Sequence, residues 1–265
     1  MDKSIKETVD GSFGNIRSAD FSDLTFIIPL RIDSNERKEN VDTVIKFLNR
    51  NFNAFILILE ADKEQKYFPE FKFKRFCYEF VEDRDDIYRK TRWINRLIAL
   101  SRTPYLAIWD TDAIAPPEQI LSSLEALRNE KAVMSLPFDG RFYSGDIVTC
   151  TLFKKFLDIE VLNARIPVMR LMHGYHSPGG AYMVNKEKYV EAGGENESFV
   201  GWGPEDFEHI KRMEALELQV HRSIGPLFHL WHPKGKNSRF ASEDSERINR
   251  NALLKTCRIT KYNQY

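Results

Sequence analysis

Residues 105–117 read YLAIWDTDAIAPP. An apolar run, Tyr105 to Trp109, ends on two carboxylates, Asp110 and Asp112, and a pair of prolines then opens EQILSSLEALRNE. A short apolar run bounded by polar residues predicts a buried strand, and proline suits the first turn of a helix. Strand, acidic turn and helix in that order is the repeating unit of an open α/β sheet. Ligands of such sheets bind in the crevice outside the carboxyl ends of the strands. Asp110 and Asp112 stand at that end. The two acids of a D-x-D at a strand end can work together. One ligates a hard divalent cation, and the other holds a ribose or the metal's water. The competing reading is an ordinary turn, in which Asp is common.

The same pattern extends outward. LTFIIPL (24–30), AFILILE (54–60), KRFCYEFVE (74–82) and KAVMSLPF (131–138) predict strands. NVDTVIKFLNR (40–50) and DDIYRKTRWINRLIALS (85–101) have helical spacing. Continuous apolar strands alternating with helices predict an α/β fold with a mostly parallel central sheet and helices on both faces. Further on, IVTCTLFKKFLDIEVLNAR (147–165) reads as one helix. A turn, SPGG (177–180), a strand, AYMV (181–184), and a helix, KEKYVEAGG (186–194), follow; LELQVHRSIGPLFHLWHP (216–233) reads as strand segments, and 242–254 as a closing helix. There is no repeat and no linker-like tract. The 265 residues are expected to form one domain: a nucleotide-binding half at about 22–136, an acceptor and catalytic half at about 137–240, and a tail at 241–265.

Composition narrows the function. The 39 basic and 39 acidic residues cancel, so no global field favours nucleic acid. Three scattered cysteines make neither a disulfide framework nor a zinc ribbon, which suggests the cytoplasm. The polar N-terminus lacks a signal-peptide core, and no run reaches the ~18–20 apolar residues needed to span a bilayer. Any membrane contact is expected to be peripheral, at the inner face. There is no G-x-G-x-x-G, no P-loop and no G-x-S-x-G, which argues against a dehydrogenase, a P-loop NTPase and a serine hydrolase.

Three further features carry chemistry. In FHLWHP, His229 and His232 lie three apart. In a strand they would face opposite ways, whereas a bend would let both meet one cation. Two imidazoles with a carboxylate suit a borderline metal such as Mn²⁺. His173 and His176 flank a turn and are read as ordinary residues. In SFVGWGPEDFEHIKR (198–212), Pro204 is expected at the first helical position, with Glu205 and Asp206 in the first turn, where the helix dipole stabilises negative charge. That leaves Trp202 unexplained. Between Gly201 and Gly203 it suits a hinge that swings over a ligand. Arg31 after the first strand, and Lys90 and Arg92 after DRDD, could meet a diphosphate; a solvated helix face is the plainer reading of each.

TFIIPLR, the strand-end DTD and PGGAYMVNKEKYVEAGGENESFVGWGPEDFEHIKRM together resemble the GT-A glycosyltransferases. Among these they resemble the β-1,4-galactosyltransferases, the galactosyltransferase-like half of chondroitin-type polymerases and the polypeptide N-acetylgalactosaminyltransferases. The segment from about 177 to 213 carries the specific part of the likeness. The resemblance implies a metal-dependent inverting glycosyltransferase. It would move a hexose or N-acetylhexosamine from a UDP-sugar to a saccharide or lipid-linked oligosaccharide, in surface polysaccharide synthesis. It implies Asp112, His232 and His229 as ligands of Mn²⁺ (or Mg²⁺), with one histidine where the family has a methionine. It implies Asp206 as general base, Glu205 on a sugar, and Trp202 on a mobile loop. The donor set it implies is Pro29, Leu30, Arg31, Glu60, Lys90, Arg92, Asp110 and Gly180. The chain departs from the family at Asp33, where a second arginine is usual, at Pro204, usually glycine, and over Tyr88–Arg92. Two alternatives remain. A nucleotidyltransferase or other sugar-nucleotide enzyme usually has a Gly-rich loop after the first strand, and PLRIDSNERKEN has no glycine. A non-catalytic sugar-nucleotide-binding module would not need a metal group and a base together.

Overall fold

The computed structural model describes residues 19–172, 174, 176–235 and 238–259; the N-terminal stretch read for a leader, and His173, lie outside them. Strand β1 (Leu24–Leu30) is buried at every position, as a strand covered on both faces must be. Helix α1 (Asn35–Asn51) follows, its first turn capped by the Ser34 hydroxyl, which accepts from the Arg37 amide. Then come β2 (Phe55–Asp62), β3 (Phe76–Glu82), α2 (Lys90–Leu100), β4 (Tyr105–Trp109), β5 (Ala113–Ile114), α3 (Pro117–Arg128) and β6 (Met134–Leu136). The remainder comprises β7 (Phe142–Ser144), α4 (Ile147–Phe156), α5 (Ile159–Asn163), β8 (Arg170–Met172), β9 (Ala181–Asn185), α6 (Lys186–Glu191), α7 (Glu205–Ala215), β10 (Val220–Arg222), β11 (Leu227–His229) and α8 (Glu243–Cys257).

The central sheet has the order β10-β6-β9-β4-β1-β2-β3. Its neighbours pair in parallel except at β9, which runs antiparallel to both β4 and β6. From β1 the chain steps through α1 to β2, and from β3 it returns through α2 to β4. Right-handed crossovers taken in opposite directions put their helices on opposite faces. This is the expected mostly parallel α/β architecture.

A second sheet, β5-β11-β7-β8, stands at the carboxyl end of β4. Its strands are two or three residues long. One of its pairings matters for the site, because β11 joins β5 so that His229 lies opposite Ala113, the residue after Asp112.

Three local expectations are corrected. The helix expected over 147–165 is two helices. Leu157 ends α4 in a left-handed conformation (φ 52°), and the Asp158 side chain caps α5 by accepting from the Glu160 amide. The helix expected from Asp85 starts at Lys90, because the Asp85 carboxylate binds the Ile87 amide and the Arg89 side chain and holds a loop instead. Pro204 is the cap before α7 rather than its first residue.

Candidate active site

The site forms where β4 ends. The Asp110 amide donates to the Gly180 carbonyl (3.0 Å), continuing the pairing of Trp109 with Ala181. DTD and SPGG are therefore neighbours by sheet register. Gly180 holds φ +98°, and a Cβ there would lie 2.7 Å from Leu227 Cδ2 and 2.8 Å from Phe142 Cζ. Gly179 admits Asp206: a Cβ would lie 2.2 Å from its Oδ2.

Lys90, the first residue of α2, joins the two acidic motifs. Its Nζ is 2.8 Å from Asp110 Oδ1 and 4.0 Å from Asp206 Oδ1. Burial works against the ammonium, but Asp110, Asp206 and Glu205 outweigh it and raise Lys90 well above its ordinary value. The Glu205 carboxyl is driven up by burial and by Asp206 beside it, and its Oε2 has no hydrogen-bond partner among the described residues. Burial also raises Asp110, and Lys90 offsets only part of that.

Asp112 faces the histidines. His232 Nε2 is 3.2 Å from its Oδ2, and His229 Nε2 is 3.8 Å from its Oδ1. The strand end accounts for how two histidines three apart can face one acid. His229 is the last residue of β11 and His232 lies beyond it, so the chain has turned before the second imidazole. Asn40 of α1 fixes that turn by donating to the carbonyls of Leu230 and Trp231. Burial would raise the Asp112 carboxyl, but His229, the hydrogen bond to His232 and Arg37 hold it well below the carboxylate range. The ligand atoms of Asp112, His229 and His232 lie within 4.8 Å of one another and form a group that could hold a metal ion. One carboxylate and two neutral imidazoles suit Mn²⁺ and similar borderline cations.

Sequence reasoning missed Arg37. Its guanidinium donates to Asp112 Oδ2 (3.1 Å), Thr111 Oγ1 (3.0 Å) and Asp33 Oδ1 (2.8 Å), and lies 3.2 Å from His232 Nε2. Nothing in NERKEN distinguishes Arg37 from the charges around it. The available signal was its place in the first turn of the helix after β1, which opens at the carboxyl edge of the sheet. His209 was missed as well. It lies one turn beyond Asp206, fully buried against the Tyr182 ring at 4.4 Å, and neither ring nitrogen has a partner among the described residues.

The other expected residues make contacts of their own. Glu60 is turned into the core, where its carboxylate accepts from the Lys66 and Tyr67 amides and from the Tyr78 hydroxyl (2.5 Å). It anchors the loop after β2 and does not join this group. Arg92 is exposed and lies over the ring of Trp93 at 5.1 Å. Pro29 and Leu30 are buried within β1. Arg31 spends its guanidinium on the carbonyls of Ala61 and Asp85 and on Asp83 (2.8 Å), tying the strand ends together. Trp202 is 40% exposed and meets Phe240 edge-on at 5.1 Å. Its glycine neighbours serve packing: Gly201 sits at φ +67° with its Cβ position 2.9 Å from Ile87, and a Cβ on Gly203 would lie 2.4 Å from Asn249 Nδ2.

Residues 162–233 match the family model described as the N-terminal domain of galactosyltransferase. That segment includes Gly179, Gly180, Trp202, Glu205, Asp206, His229 and His232; Lys90, Asp110 and Asp112 lie outside it. No curated protein matches the chain. Solved structures that resemble it include the catalytic domain of Drosophila beta1,4galactosyltransferase 7 with xylobiose (18% identity, TM-score 0.44). A mutant of the same enzyme, in complex with manganese, UDP-Gal and xylobiose, also resembles it (18% identity, TM-score 0.45). Each alignment covers 76% of this chain and spans 64% of the length of the solved one. On the family match, residues 162–233 are galactosyltransferase-like.

Proposed function

We propose that the chain is a metal-dependent inverting glycosyltransferase acting on a UDP-sugar, with a hexose or N-acetylhexosamine moved to a saccharide acceptor. One observation carries the reading: Lys90 Nζ lies 2.8 Å from Asp110 and 4.0 Å from Asp206, so the strand-end acids beside the metal group and the acid at the start of α7 gather around one cation. A divalent cation held by Asp112, His229 and His232 would supply positive charge to the departing diphosphate. Asp110 orients the nucleotide, and Lys90 adds a fixed cation between the two acids. Asp206 takes the proton of the acceptor hydroxyl. The acceptor oxygen then bonds to the anomeric carbon as the bond to the diphosphate oxygen breaks, and UDP leaves with that electron pair. Attack opposite the leaving group inverts the centre. Glu205, whose carboxyl is driven up by burial and by Asp206 beside it, would contact a sugar oxygen. The cytoplasm, and assembly of a surface polysaccharide, are the setting this chemistry suggests.

Replacing Asp206 with Asn is expected to lower transfer by at least about 10²-fold while UDP-sugar still stabilises the protein in a thermal-shift assay with Mn²⁺. Near-normal transfer by that variant would overturn the base. Asp112→Ala is expected to abolish the Mn²⁺-dependent part of the shift, and an unchanged metal requirement would overturn the ligand assignment. Slow Mn²⁺-dependent release of UDP from a UDP-sugar separates this reading from a binding module, which releases none. A nucleotidyltransferase would form pyrophosphate instead.

A further inference from the structure

A surface helix normally turns its apolar stripe inward. α4 does this with Cys150 and Phe153, yet Ile147, Val148, Leu152 and Phe156 are exposed as well, by 57%, 65%, 43% and 52%. Val148, Leu152 and Phe156 follow one another at intervals of four, so they form one outward line along the helix. A contiguous exposed apolar line of this kind marks an interaction face.

The charges around the line select the partner. Lys154 and Lys155 occupy the last turn, and the Arg50 guanidinium reaches the Phe156 carbonyl (3.0 Å). Lys155 Nζ lies over the Phe156 ring at 5.3 Å. Arg165 and Arg170 follow and are exposed. The acids of the same stretch are engaged locally. Asp146 and Asp158 cap α4 and α5, and Asp146 also lies 4.0 Å from Arg165. Glu160 accepts from Asn163, and Glu39 accepts from Lys154 (2.9 Å). With Lys154 and Arg165 set against Glu39 and Asp146, Lys155 and Arg170 are the cations this face offers. An apolar line edged by them fits an anionic bilayer surface: side chains enter the headgroup boundary and the cations meet phosphate. Among the described residues no helix is long and apolar enough to cross a membrane.

We propose that the outward face of α4 docks this protein on an anionic phospholipid membrane. The helix is fastened to the metal-ligand strand. The Gly145 amide donates to the His229 carbonyl (2.9 Å), and the Trp231 amide donates to Cys150 Sγ (3.2 Å). Docking therefore holds the site beside the bilayer, where a lipid-linked acceptor is presented. That last step rests on the transferase reading; the membrane contact does not.

Flotation of the full chain with vesicles of phosphatidylcholine, alone or mixed with phosphatidylglycerol, tests the contact. The expected result is binding to the mixed vesicles that weakens as salt rises. Val148→Ser with Leu152→Ser is expected to lower partitioning on the order of tenfold or more. Lys155→Glu with Arg170→Glu should act similarly. Both variants should keep the wild-type melting temperature and, with a water-soluble acceptor, wild-type UDP release. The proposal is overturned if wild type binds neither vesicle, or if folded variants bind as wild type does. It is also overturned if both pairs of changes instead abolish a concentration-dependent dimer, which would make a second copy the occupant.

Discussion

Gly179 and Gly180 are adjacent, yet they answer to different constraints. A methyl group on Gly179 would meet only the end of the Asp206 side chain, at 2.2 Å from Oδ2 and 3.0 Å from Cγ. A carboxylate can swing away, so Gly179→Ala is expected to leave the melting temperature nearly unchanged. It would also displace the proposed base, and a misplacement of about 1 Å can cost about 10²-fold in rate. A methyl group on Gly180 would meet Leu227 and Phe142, which are packed in the core, on a backbone at φ +98°. Gly180→Ala is expected to cost at least about 1–3 kcal/mol in stability from the backbone alone. Denaturant unfolding and transfer assays on the pair separate the two effects. Undiminished transfer by Gly179→Ala would show that Asp206 does not act from its present position. At this scale Asp110, Asp112 and Asp206 were legible, because carboxylates at strand and helix ends are conspicuous. Arg37 and Gly179 were not, because their importance comes from neighbours about 75 and 27 positions away in the chain.

The inner strands β1 and β4 of the central sheet were legible from their apolar runs, since burial on both faces leaves no other composition. The small sheet was not, because strands of two or three residues carry no period, and only its pairing brings His229 to Asp112. α7 shows the limit differently. Its acidic start is visible in the sequence, but the burial of His209 is not. Burial drives the His209 imidazole down to about 3, against the raising effect of Asp206 and with the lowering effects of Arg212 and Lys90. The unfolded chain takes up this proton near pH 6.5, and the folded one does not until about 3. The stability present above pH 6.5 is therefore lost as pH falls through this window, by about 2 kcal/mol at pH 5 from this residue. Glu205 and Glu195, raised by burial, act in the opposite sense, because the folded protein binds their protons first. The measurable quantity is a difference. Between pH 7 and 5, wild type should lose about 2 kcal/mol more unfolding free energy than His209→Leu. Parallel pH profiles would show that His209 is reached by protons in the folded state.

Over the whole molecule, the C-terminal helix governs the loop that carries Trp202. Asn249 of α8 is fully buried, and its side chain makes three bonds to that loop. Its Oδ1 accepts from the Val200 amide (2.7 Å), and its Nδ2 donates to the carbonyls of Val200 (3.0 Å) and Trp202 (3.2 Å). A second tie runs beneath, where Thr256 donates to Glu208, the buried partner of Arg212. α7 and α8 are thus bonded to each other, and the tryptophan loop hangs from the outer helix. A lid that closes over a sugar must break or carry these bonds. Asn249→Ala removes all three and leaves buried backbone groups unsatisfied, at about 1–3 kcal/mol for each group that finds no water. The variant is expected to melt earlier. Its amide exchange should rise first and most in residues 199–204, while the central strands stay protected up to the global transition. If the transferase reading holds, donor binding should persist and UDP release without acceptor should increase, because a loosened loop admits water to the donor. Exchange that rises uniformly across the chain would instead assign Asn249 to general stability and leave the loop without a dedicated tether.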